Sequence, residues 1–264
     1  SQDNLSMIFY IDALRMDLMK DLQTKLMRDF GLEATPEFRL APIPSVTEVG
    51  MGAVVPPPED FSVGCHNGKF RTYKGSTRVD KSNQREKQLE EEGFVNVDYR
   101  KPKEISVSEK GTDSRMAYHY LKLDKRGHND VEGFEELIDE TIDSLANKIK
   151  EVITAGGMEQ VFVVTDHGFL LFPEYEKEPT PLSINPGDAE IVKPNFLAGD
   201  ELSDDIQGVT VDESRPGFSY LDTKLKVLFN PLEQYKKRGS GFERFSHGGG
   251  LPQECMLMFL KIEN

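Results

Sequence analysis

Apolar residues along the chain gather into short runs that end on polar tips, separated by longer stretches with a helical period. Met7-Ile8-Phe9-Tyr10-Ile11 reads as a buried strand that closes on Asp12. From Met16 to Phe30, the residues Leu18, Leu22, Leu26 and Phe30 fall at near-helical spacing, and Gly31 supplies a stop. Ile43 to Thr47 predicts a turn into a short helix through Val55, ended by Pro56-Pro57-Pro58. Residues 59–93 are polar and glycine-spotted, and the charged run Lys81 to Glu92 is expected to be a solvated surface helix. Strands are predicted over Phe94 to Tyr99 and Met116 to Leu123.

The clearest helix runs from Val131 to Ala155, with Phe134, Ile138, Ile142, Leu145, Ile149 and Val152 on one face and Gly156-Gly157 behind it. The strand Gln160 to Thr165 follows, a βαβ pattern expected to be parallel and right-handed. Between Pro173 and Gly241 the pattern loosens. Strand-like pieces (Ala189 to Pro194, Gly208 to Val211, Lys224 to Phe229) alternate there with Pro, Gly and Asp. This segment is expected to be a small β-rich insertion or lid within one domain spanning residues 1–264. A last apolar strand, Cys255 to Ile262, ends the pattern. The order of elements predicts an α/β fold.

Chemistry concentrates at the strand tips. Val161-Phe162-Val163-Val164-Thr165 delivers Asp166 and His167 to its C-terminal end, the place where open α/β sheets bind ligands. Gly168 is expected to let the chain turn there without steric cost. Asp12 ends the first strand. Asp124 and His128, four residues apart, can converge from one helical turn or a tight loop, and His247 precedes three glycines. Each of these is by itself an ordinary turn or capping residue. Together they form a set of oxygen and nitrogen donors without a thiolate, which suits a pair of Zn²⁺ or Mn²⁺ ions. Thr47 is the candidate nucleophile, and the same position suits an N-cap threonine. His119, inside a strand, reads as a packed histidine, and His66 has no assigned role.

Composition narrows the setting. The 264-residue chain carries a net charge of −14, which argues against broad adhesion to nucleic acid or anionic membrane while leaving room for a local cationic site. No apolar run approaches a membrane span and no signal-peptide pattern opens the sequence. Ser1, in place of an initiator Met, suggests a piece of a longer protein. Cys65 and Cys255 lie far apart without metal-site spacing, as in a reducing compartment.

The ordered set Asp12-Ala13-Leu14-Arg15, Pro44-Ser45-Val46-Thr47, Asp124-x-x-x-His128, Thr165-Asp166-His167-Gly168 and His247-Gly248-Gly249 resembles the alkaline phosphatase superfamily. It resembles the PglZ domain in particular, as does Leu251-Pro252-Gln253-Glu254 and, more loosely, Asn83 to Leu89. The resemblance implies an α/β/α sandwich with a mostly parallel central sheet. It implies one metal held by Asp12, Asp166 and His167 with Thr47, and a second held by Asp124, His128 and His247. Thr47 would then form a phosphothreonine that water hydrolyses. Arg15 matches the family arginine and is expected to pair with a neighbouring acid.

The implied activity is that of a two-metal phosphodiesterase or phosphatase, with a nuclease among the readings, acting on nucleotide or nucleic-acid phosphates. The implied setting is the BREX phage-defence systems or response-regulator proteins, both cytoplasmic, with other defence proteins as partners. A non-catalytic, metal-stabilised scaffold and a phosphomutase are the competing readings. No motif marks the arginine that would grip the phosphoryl oxygens; Arg71, Lys125 and Arg126 are the candidates, and its absence tilts the expectation toward diesters.

Overall fold

The structure, a computed structural model, describes residues 6–57, 60–96, 115–120, 122–129, 131–154, 158–185, 187–231, 233–237 and 241–263. The chain opens with β1 (Ser6–Ile11), α1 (Met16–Phe30), β2 (Glu33–Leu40) and α2 (Thr47–Val54). A small hairpin sheet follows, β3 (Phe61–Cys65), β4 (Phe70–Lys74) and β5 (Thr77–Arg78), then α3 (Ser82–Glu91). Next come β6 (Phe94–Asn96), β7 (Arg115–Tyr120), α4 (Lys122–Asn129), α5 (Phe134–Thr154) and β8 (Gln160–Thr165). Eight short strands carry the chain through its β-rich part: β9 (Leu170–Leu171), β10 (Leu182–Ile184), β11 (Ile191–Lys193), β12 (Phe196–Gly199), β13 (Val209–Val211), β14 (Lys226–Phe229), β15 (Tyr235–Lys237) and β16 (Phe245–Ser246). The last elements are α6 (Pro252–Cys255) and β17 (Met256–Glu263).

Six strands form the central sheet in the order β2-β17-β8-β1-β7-β6. The four strands β8, β1, β7 and β6 run parallel, and β17 and β2 close one edge antiparallel. Side chains of β1 alternate between the two faces, as the period of a strand requires. Met7, Phe9 and Ile11 join one core with Leu22 of α1 and Leu145 of α5. Tyr10, packed by Ile8, joins another core with Met51 of α2 and Leu89 of α3. Helices thus cover both faces. The architecture is the expected α/β/α sandwich with a mostly parallel core.

A third core binds the hairpin sheet to the four-stranded sheet β11-β12-β14-β13 through Val46, Val63, Phe70, Phe196 and Val227. Both sheets stand beside the C-terminal end of β1, where the candidate residues lie.

Several elements differ from the sequence reading. The strand expected to run to Leu123 stops at Tyr120, and α4 begins at Lys122, which turns Asp124 and His128 onto one helical face. Only Phe94 to Asn96 of the strand expected through Tyr99 falls within the described residues. Edge strand β2 carries Pro36 and mostly exposed residues, so it lacks the apolar run that announces a strand. The hairpin β3–β4 is masked in sequence by charge: Lys74 is buried in a core-facing row, its Nζ donating to the Ala53 carbonyl at 3.1 Å. Helix α3 is not a wholly solvated face, because Arg85, Gln88 and Leu89 point inward.

Candidate active site

Two clusters of ligand-type side chains face one another at the sheet's C-terminal end. The first is Asp12, Asp166 and His167, all buried, from the tips of β1 and β8. His167 Nε2 lies 3.5 Å from Asp12 Oδ1 and 3.4 Å from Asp166 Oδ2. The second is Asp124 and His128 from α4 with His247 from the loop after β16. Asp124 Oδ1 lies 3.2 Å from His247 Nε2 and 3.6 Å from His128 Nε2, and the two imidazole Nε2 atoms are 3.2 Å apart. His167 stacks on His247 with ring centroids 4.2 Å apart, joining the clusters.

Main-chain contacts decide which lone pairs are presented. His167 Nδ1 donates to the Gly168 carbonyl at 2.9 Å, and His247 Nδ1 donates to the Ser45 carbonyl at 3.2 Å. A carbonyl only accepts, so each Nδ1 carries a hydrogen and each ring, when neutral, turns a bare Nε2 toward the carboxylates. Asp166 Oδ2 and Asp124 Oδ1 are buried and accept no hydrogen bond among the described residues. Acceptors therefore converge on acceptors at both clusters. Such contacts repel unless a cation lies between them, and nitrogen and carboxylate donors without thiolate suit zinc or manganese. Asp166 Oδ1 is separately fixed by the Ala13 amide at 3.2 Å, an outer contact that aims the carboxylate.

Ionisation follows the crowding. Burial and the neighbouring Asp166 and Asp124 carboxylates push the Asp12 carboxyl well above its ordinary range. Burial lowers His167, which keeps the ring neutral. For His247, burial pulls downward but Asp124 outweighs it and raises the ring. Asp124 falls to about 2, because the three surrounding imidazoles, His247 foremost, outweigh the upward push of burial.

Thr47 joins the first cluster. Its hydroxyl lies 3.3 Å from Asp12 Oδ1 and 3.2 Å from His167 Nε2. The N-cap alternative fails: Val46 occupies that position without a side-chain cap, and Thr47 is the first helical residue of α2. Glycine brings the helix this close, since a Cβ on Gly50 would come within 2.5 Å of the Asp166 carbonyl oxygen.

A family model described as the BREX system PglZ alkaline phosphatase-like domain matches residues 2–262. The chain belongs to the PglZ family. No curated protein matches it. Among solved structures, murine ectonucleotide pyrophosphatase/phosphodiesterase 5 is similar at TM-score 0.63 and 11% identity, over 97% of this chain and 88% of that one. The human protein of that name matches at TM-score 0.60 and 9% identity, over 97% and 87%. The murine protein was also solved as an inactive threonine-to-alanine variant in complex with AMP, at TM-score 0.62 and 11% identity, over 97% and 87%. These likenesses are of fold.

In this PglZ domain the expected Gly168 turn has another physical cause. Its backbone is not left-handed, but a Cβ would lie 2.0 Å from the Gln253 carbonyl oxygen, so glycine is required for close approach. Arg15 pairs with Asp17 at 2.6 Å and lies over the Phe169 ring, the expected structural role. His119 is buried and stacked on Tyr10. Of the candidate phosphate-gripping residues, Lys125 and Arg126 are exposed on α4, and Arg71 alone lines the cavity that holds the site.

Two residues lay inside family-like stretches of the sequence without being given a role. Arg85 lines that cavity from inside a charged run. Glu254, seen only as part of a matching motif, is buried and ties down the glycine loop after His247. It accepts hydrogen bonds from Gly249 N (2.8 Å), Leu251 N (3.1 Å) and Asn195 Nδ2 (2.6 Å).

Proposed function

We propose that this PglZ domain is a two-metal phosphoesterase that prefers phosphodiesters of the nucleotide class and uses Thr47 as its nucleophile. The observation that carries the reading is the placement of the Thr47 hydroxyl against Asp12 and His167, with no capping role to account for it. Asp12, Asp166 and His167 would hold one divalent cation next to Thr47, and Asp124, His128 and His247 the other. Zinc is the preferred ion on donor chemistry and manganese the alternative. When bound, such a pair polarises phosphoryl oxygens and makes a hydroxyl nucleophilic at neutral pH.

The chain's own groups perform the rest. Thr47 Oγ1 attacks phosphorus, an ester P–O bond breaks, and the alcohol leaves with a proton. The covalent product is a threonine diester that still carries the other ester arm. Water then cleaves the bond to Oγ1, restoring Thr47 and releasing a phosphate monoester. The position of Thr47 as first residue of α2 supports this role, because the unpaired amides and dipole of a helix start favour negative charge there. A relative of the same fold that is inactive as a threonine-to-alanine variant and binds AMP supports both the nucleophile and the nucleotide class.

The family's BREX description supports a role in antiviral defence with other defence proteins as partners. Among the described residues no helix is long and apolar enough to cross a membrane, which fits the cytoplasmic setting we assign. The test is hydrolysis of bis-p-nitrophenyl phosphate beside p-nitrophenyl phosphate after zinc or manganese loading. Metal-dependent turnover favouring the diester is expected. Bound metals without turnover of either ester would replace the enzyme by a metal-stabilised scaffold.

A further inference from the structure

The cavity that contains Thr47, Asp124, His128 and His247 has a volume of about 840 Å³. Cavities of that size hold whole organic ligands, and a single phosphoryl group fills only a small part. Its lining includes residues from the β3–β4 turn, the start of α3 and the end of β11. Each contributes an exposed lysine, Lys69, Lys81 and Lys193, and none of the three makes an ion pair among the described residues. In a chain with 46 acidic and 32 basic residues, three unpaired lysines around one cavity run against the average.

The carboxylates of the lining do not cancel them. Asp80 is engaged by Arg78 and by Arg71, the latter at 3.5 Å. Glu48 adjoins Thr47 in sequence, which leaves Glu243 as the lining carboxylate outside the clusters that faces these lysines.

The start of α3 adds directed donors. The 10-residue helix opens onto the cavity through Lys81 and Ser82, and its first amides and dipole attract anions. One turn in, Arg85 lines the same cavity and is only 3% exposed. Its Nη1 is anchored on the Val79 and Asp80 carbonyls at 3.2 and 3.0 Å, while its buried Nε has no hydrogen-bond partner. A guanidinium held at Nη1, whose buried Nε no protein acceptor satisfies, is matched by a phosphate oxygen.

Resting on the phosphoesterase reading, we propose that the α3 N-terminus, Arg85, Lys69, Lys81 and Lys193 form a second anion subsite. It binds a phosphate of the substrate other than the reacting one. The preferred substrate is then a phosphodiester with a further phosphate along its backbone, such as a 5′-phosphorylated dinucleotide or a longer strand. A diester with neutral arms leaves the subsite empty.

The test is equilibrium binding by calorimetry to zinc-loaded Thr47→Ala protein, which does not turn the ligand over on the covalent reading. The probes are a thymidine dinucleotide with a 5′-phosphate, the same dinucleotide without it, and an unphosphorylated trinucleotide. The phosphorylated dinucleotide is expected to bind at least about tenfold tighter than its partner, roughly 1.4 kcal/mol. The double substitution Lys81→Gln/Lys193→Gln, at exposed positions, should close most of that gap, and Arg85→Lys should narrow it. A matching gain for the trinucleotide would assign the subsite to an internal backbone phosphate, and a gain for the 5′-phosphate alone to a chain end. Equal affinity for all three, with wild-type protein hydrolysing bis-p-nitrophenyl phosphate, would overturn the subsite and leave the phosphoesterase reading standing. No binding of any probe, together with no hydrolysis of any ester, would overturn both.

Discussion

The imidazoles of His167 and His247 lie face to face, 4.2 Å between centroids and 13° between planes, each pinned at Nδ1 by a main-chain carbonyl. Their ionisation is pushed in opposite directions, His167 down by burial and His247 up because Asp124 outweighs burial. In the metal-free protein Asp124 therefore favours the protonated form of His247, which relieves their contact. A metal ligand must be neutral, so metal binding has to release that proton. Zinc affinity is expected to rise between pH 6 and pH 8, and calorimetry in buffers of different ionisation enthalpy should register proton release. An affinity flat with pH would contradict this picture of the second cluster.

Asp12 gives an effect of opposite sign with and without metal. Burial and nearby carboxylates raise its pKa, so the fold favours its protonated form. The stability it contributes to the metal-free protein is full below the unfolded pKa of about 3.9 and is lost as pH rises through the folded pKa. At neutral pH Asp12→Asn removes that cost. Metal-free Asp12→Asn is expected to melt a few degrees above wild type, at about 2–4 °C per kcal/mol for a chain of this size. Zinc should raise the melting temperature of wild type and much less that of the variant.

Strand tips were the legible part of this chain. The apolar runs before Asp12 and Asp166 fix where those strands end, whereas the spacing of Asp124 and His128 allowed a helical turn or a tight loop and left the helix α4 unseen. Thr47 was legible as a position but not as a role, because N-cap and nucleophile share the same sequence context. Arg85 was hidden by its neighbours: a charged run reads as solvated, and only the packing of α3 shows that every third or fourth residue turns inward. Strands β2 to β5 were missed for a related reason, since an exposed edge and a buried lysine stem erase the alternation that marks a strand.

Glu254 acts on the second cluster through the loop that carries His247. Three donors rely on its carboxylate, and Glu254→Ala leaves them without an acceptor. The expected loss is about 2–3 kcal/mol in denaturant unfolding. Metal content should fall toward one ion per chain, as the cluster at Asp124 loosens and that at Asp12 holds. Full retention of both metals would remove Glu254 from the support of His247.

Close approach at Gly50 makes a steric prediction. A Cβ there meets the Asp166 carbonyl oxygen at 2.5 Å, whereas at Gly241 nothing lies within 4 Å. Gly50→Ala should push α2 and Thr47 away from Asp166, costing about 1–3 kcal/mol and turnover on the order of a hundredfold. Gly241→Ala, measured in parallel, should match wild type in both.

The most direct test of the account is acid quenching of zinc-loaded protein during turnover of bis-p-nitrophenyl phosphate, followed by peptide mass spectrometry. The account predicts a p-nitrophenyl phosphoryl group on the peptide containing Thr47, absent in Thr47→Ala, which should lose turnover while keeping near-normal metal content. Full turnover by Thr47→Ala, with no modified peptide in wild type, would contradict the covalent route and transfer the attack to a water molecule.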